Sequence, residues 1–88
     1  MAQAQLILYS RPACTLCEHL EDQLHEHFAG RFQLDWRDVD RDPEARRLHA
    51  QRIPVLTTST GEEICVGTFD AQSVARALER LEGPVGPV

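Results

Sequence analysis

Two cysteines separated by two residues, Cys14-Thr15-Leu16-Cys17, are the part of this sequence best equipped for chemistry. A thiol pair at that spacing suits two tasks: exchange with a disulfide, or supply of half of a tetrahedral zinc site. Zinc needs two further ligands. The candidates are Cys65, His19, His25, His27 and His49, and none of them forms a second pair at finger spacing. Exchange needs less: two sulfurs within reach of one another, one of them ionised. Residues i and i+3 share a helix face, so a helix beginning at the motif brings the sulfurs together. The chain has three cysteines, an odd number and a poor disulfide framework for a secreted protein. A close pair in a reducing compartment is more often catalytic or metal-binding.

The elements around the motif must place it at a helix start. Leu6-Ile7-Leu8-Tyr9 is a short apolar run that reads as a strand buried on both faces. Ser10-Arg11-Pro12-Ala13 breaks it. Leu16, Leu20, Leu24 and Phe28 then recur every four residues as the apolar stripe of a helix, which Ala29-Gly30 ends. Cys14 thus lies at the exposed helix start, where free backbone N–H groups and the helix dipole favour an anion. Cys17 lies one turn in and partly buried. These positions predict Cys14 as the attacking thiolate and Cys17 as the resolving thiol.

The rest of the chain alternates in the same way. Phe32, Leu34 and Trp36 have the period of a strand. Asp38–Asp42 is a charged turn that lacks the Gly and terminal Glu of a calcium loop; Asp42 then caps a short helix with Pro43 first and Ala45 and Leu48 inward. Ile53–Thr57 and Glu63–Val66 flank a turn and read as a hairpin. Asp70 caps a last helix carrying Val74, Leu78 and Leu81. The expected architecture is α/β: a four-stranded mixed sheet in the order βαβ-α-ββα, flanked by three helices. It forms one domain over residues 1–82, with a Gly/Pro tail over 83–88 expected to fray.

Charge narrows the function. At −5 the chain is not built for nucleic acid. Its nine basic residues are all Arg, which excludes a lysine Schiff base and a P-loop lysine. No apolar run approaches the ~20 residues of a membrane span, and the start lacks the basic and apolar regions of a signal peptide. A cytoplasmic location is expected, as a monomer.

Tyr9-Ser10-Arg11-Pro12-Ala13-Cys14-Thr15-Leu16-Cys17 resembles the glutaredoxin signature. Ile53-Pro54-Val55 is similar to the cis-proline segment of the thioredoxin superfamily, and Val66-Gly67-Thr68-Phe69-Asp70 to the glutaredoxin Gly-Gly-x-Asp turn. The resemblance covers residues 5–82 and implies the thioredoxin fold and thiol–disulfide oxidoreductase activity on protein disulfides or glutathione mixed disulfides. It assigns Cys14 and Cys17 the catalytic roles and Pro54 a cis bond facing them. It places Arg11 on a glycyl carboxylate, Asp70 near a γ-glutamyl end, and a substrate strand along the backbone of Val55. Gly67 and Thr68, with Arg52 and Ile53, complete the implied substrate-binding set. Thr15-Leu16 stand where the family has Pro-Tyr, Thr68 where it has the second glycine, and Arg52 where it has Thr. No tightly bound cofactor is expected; glutathione is the implied co-substrate.

Arg11 precedes Cys14 and Arg52 precedes the proline loop, so both are expected to set positive charge near the thiolate, lower its pKa and favour anionic substrates. Cys65 is expected to be a small buried hydrophobe, Trp36 a core or strand-edge contact, and the four His helix-surface groups, with His19 close enough to influence the cysteines. Two other classes stay open: a metal or iron–sulfur binding module using Cys14, and a redox-silent adaptor.

Overall fold

The computed structural model describes residues 3–81. Residue 82, counted within the expected domain, and the tail expected over 83–88 lie outside the described residues. The elements run β1 (Ala4–Ser10), α1 (Thr15–Phe28), β2 (Phe32–Asp38), a 3-10 turn (Val39–Arg41), α2 (Pro43–His49), β3 (Val55–Thr58), β4 (Glu63–Val66) and α3 (Ala71–Leu81). The strands form one sheet in the order β2-β1-β3-β4. β1 runs parallel to β2, with Ala4 opposite Phe32 and Ser10 opposite Asp38. β3 is antiparallel to both β1 and β4, and the register slips between Leu56 and Thr57. The sheet is therefore mixed, with β1 and β3 inside.

Position in the sheet explains the pattern of each strand. Leu6 and Leu8 of β1 are fully buried, and Ile7 and Ser10 nearly or fully so. β2 is an edge strand, and past Phe32 its side chains open to water, with Trp36 41% exposed. Trp36 is thus an edge contact whose Nε1 donates to the Glu21 carboxylate at 3.2 Å, tying β2 to α1.

One core joins Leu6 and Leu8 to Leu20, Leu24 and Phe28 of α1 and to Val74 and Leu78 of α3. Each such leucine contributes roughly 1.5–3 kcal/mol by leaving water. The α1 stripe departs from expectation at its first member: Leu16 is 61% exposed, and Cys17 is buried in its place. A step of four residues advances about 40° beyond a full turn, so a strict every-fourth series drifts around the helix. Leu20 stands at one edge of the inward sector, which runs through Leu24 and Cys17 to Phe28, and Leu16 falls outside it on the other side of Leu20.

On the opposite face of the sheet Tyr9 meets α2. The inward residues there are Ala45 and His49; Leu48, expected inside, is 44% exposed. The His49 ring packs on Tyr9 with centroids 4.3 Å apart. One of the four histidines is therefore a core group. Leu81 of α3 is likewise 39% exposed, and Ala77 is buried beside Val74 and Leu78. Asp42 caps α2 by accepting the Glu44 N–H, with Pro43 in the first turn. β3 begins at Val55, two residues later than its apolar run. No helix among the described residues is long and apolar enough to cross a membrane.

Candidate active site

β1 delivers the chain to the turn Arg11-Pro12-Ala13, and Ala13 turns it with a φ of 61°. A side-chain-bearing residue in this left-handed region costs about 1–2 kcal/mol. Cys14 follows in extended conformation as the N-cap of α1. Its Sγ accepts the Cys17 N–H at 3.2 Å, and its carbonyl accepts the Glu18 N–H at 3.1 Å. Sulfur thus occupies the place that Ser, Thr, Asp or Asn oxygen takes in most helix caps. The same N–H and the helix dipole face the sulfur on which a Cys14 thiolate would form.

The Cys14 and Cys17 sulfurs stand at disulfide-bonding distance, with Cα atoms 5.3 Å apart. The two are unequal. Cys14 is half-buried, whereas Cys17 is wholly buried under the first turn. An incoming molecule meets Cys14 first.

The other predicted residues fall into three groups. Pro54 is buried and the Ile53–Pro54 bond is cis. Its carbonyl accepts the Gly67 N–H at 2.7 Å, fastening the end of β4 to the proline loop. Gly67 has a φ of 84°, a conformation that favours glycine, although a Cβ there would meet nothing within 4 Å. Gly67 and the exposed Thr68 line a mainly apolar groove of about 280 Å³ with Thr15, Leu16, His19, Leu20, Gln23 and Phe69. The spacer of the dithiol and the Gly67-Thr68 turn therefore form one surface, and the exposed Leu16 belongs to it.

Arg11 and Arg52 line a second, more open cleft together with Asp40, Pro43, Arg46, Arg47, Leu48, Ala50 and Gln51. Both are charged, and each is held in an ion pair. Arg11 Nε donates to Asp40 Oδ2 at 3.0 Å, which holds the Asp40 carboxyl below its usual range. Arg52 Nη2 lies 2.6 Å from Glu63 Oε1 and lowers that carboxyl likewise.

Asp70, Ile53 and Val55 line neither cavity. The Asp70 carboxylate accepts the Ser73 hydroxyl at 2.9 Å and the N–H groups of Ser73 and Gln72, so it caps α3 and sits below its ordinary pKa. Val55 is in register with Tyr9 on one side and Val66 on the other. The strand expected to add along Val55 meets an interior strand there; an added segment would have to pair with the stretch leading into Pro54.

Arg46, Arg47 and Leu48 were not among the expected site residues. Pro43, Arg46, Arg47 and Ala50 follow the i, i+3, i+4, i+7 spacing of one helix face, and that spacing was a usable signal. Cys65 is buried against the core, its Sγ 3.9 Å from the Asp70 carbonyl, and burial pushes its thiol up. Among the described residues, no group of three or more His, Cys, Asp or Glu is gathered in a way that could hold a metal ion.

A family model described as a glutaredoxin-like domain (DUF836) matches residues 5–79. The solution structure of protein Ne2328 from Nitrosomonas europaea is similar with a TM-score of 0.73 and 25% identity, over 88% of this chain and 93% of that one. The X-ray structure of protein XcR50 from X. campestris is similar with a TM-score of 0.68 and 29% identity, over 85% of this chain and 96% of that one. No curated protein matches the sequence.

Proposed function

Since this chain belongs to the glutaredoxin-like domain family and has a thioredoxin-like fold, we propose that it is a dithiol thiol–disulfide oxidoreductase. The observation that carries this reading is the unequal pair at the start of α1: Cys14 half-buried and capped by a backbone N–H, Cys17 buried behind it at bonding distance.

In the reduced protein the Cys14 thiolate attacks one sulfur of a substrate disulfide. A mixed disulfide forms and the first substrate thiolate leaves. Cys17 then loses its proton and attacks Cys14 Sγ, expelling the second substrate thiolate. The substrate gains two electrons and two protons, and the chain is left with the Cys14–Cys17 disulfide. A thiol reductant of the glutathione class restores the dithiol by the reverse exchange. The substrates in this reading are protein disulfides or glutathione mixed disulfides, met by a monomer in the cytoplasm.

The test is a redox titration of the chain in glutathione buffers, read by intact mass and peptide mapping. The expected result is reversible loss of two hydrogens, mapped to Cys14–Cys17. Cys14→Ser is expected to abolish disulfide reduction, and Cys17→Ser to accumulate the mixed disulfide on Cys14. A chain whose two cysteines ignore the buffer would overturn the proposal.

A further inference from the structure

Four of the chain's nine arginines, Arg11, Arg46, Arg47 and Arg52, line one cleft, and Asp40 is the lone acid among its lining residues. The chain as a whole carries −5, so this gathering of arginines is a local arrangement that the overall composition does not explain. The cleft shares chain segments with the dithiol and the proline loop: Arg11 stands three residues before Cys14, and Arg52 two residues before Pro54.

The arginines differ in what they hold. Arg11, Arg47 and Arg52 each form an ion pair, with Asp40, Glu44 and Glu63 respectively. The Arg46 guanidinium donates only to the backbone carbonyl of Asp40, at 2.9 Å, and forms no ion pair among the described residues, although its charge helps to hold the Asp40 carboxyl low. Most of its donors stay open to an arriving carboxylate, which it can meet bidentately. Leu48 adds an exposed apolar surface to the same wall.

We propose that this cleft docks an acidic segment flanking the disulfide of a protein substrate, with Arg46 as the specificity-determining residue. The inference rests on the oxidoreductase reading and adds to it the class of protein that is reduced.

Three peptides with the same disulfide and length, flanked by Asp/Glu, by Ser/Gln or by Lys/Arg, test it. The wild-type chain is expected to reduce the acidic peptide with a kcat/KM about tenfold above the neutral one, a size typical of complementary charge at a docking face. Arg46→Ala is expected to bring that ratio within about twofold, and Arg46→Glu to invert it. Arg76→Ala, on α3 and outside this cleft, is expected to leave the ratio at its wild-type value. A labelled acidic peptide without cysteine, followed by fluorescence anisotropy, separates the two levels of the argument. Exchange failing on all peptides while Arg46-dependent binding persists would sink the oxidoreductase reading and leave the docking face. Equal rates on acidic and neutral peptides, or a preference that survives Arg46→Glu, would overturn the inference. So would an Arg46 dependence seen with glutathione disulfide and with no peptide, because the ligand would then be the small molecule.

Discussion

Cys14 illustrates how one atom takes two roles. Its sulfur caps α1 and, in the function proposed above, is also the atom that attacks, so the helix that it starts would be the helix that activates it. His49 shows burial acting in the other direction. Packed on Tyr9, it has a pKa below the ordinary value because burial disfavours its charged form; Glu63 opposes that effect and Arg52 adds to it. The unfolded chain takes up a proton below about pH 6.5 that the folded chain refuses. Stability is therefore expected to be full above pH 6.5 and to fall as the pH drops from there. The Asp40, Glu63 and Asp70 carboxyls, all held low, act at more acid pH and leave this window to His49. Urea midpoints at pH 7.5 and 5.5 check the point: the wild type is expected to lose stability between them, and His49→Phe, which keeps a ring on Tyr9, to lose much less.

Among the described residues, the turn from β1 to α1 is the one that puts a non-glycine residue in the left-handed region. Ala13→Gly is expected to raise stability by up to about 1 kcal/mol, since glycine enters the left-handed region without steric cost but loses more chain entropy on folding. Ala13→Val is expected to lower it, and denaturant titration reads both. This strain could not be read from Arg11-Pro12-Ala13, where proline marks a turn and nothing in alanine marks its hand. The order of strands and helices, by contrast, was legible, because apolar runs and four-residue spacing report directly on burial. Leu16, Leu48 and His49 resisted that reading. Each lies near the border of an apolar sector, where the angle of the helix on the sheet decides what is buried, and hydrophobicity alone ranks Leu inward. The cysteine pair and the proline segment could be read as local motifs. The arginine-lined cleft could be read only in part, from the spacing on α2, because it is assembled from the β1 turn, α2 and the proline loop, which only the folded chain brings together.

At the scale of the whole molecule, the core draws on every strand and on α1 and α3, so the fold has one centre and is expected to unfold as a unit. Trp36, the only tryptophan, sits on the edge strand and is tethered to α1 through Glu21. Its fluorescence and the far-ultraviolet circular dichroism are expected to change over the same denaturant range; an earlier fluorescence transition would mean that β2 detaches first. The burial of the sulfurs has a consequence for the reduced protein as an analytical object. With Cys14 half-buried and Cys17 and Cys65 buried, an alkylating reagent should count one thiol on a folded molecule and three on an unfolded one. The mass of the labelled chain then becomes a ledger of folded and unfolded copies, one molecule at a time, in samples too dilute or too crowded for optical work.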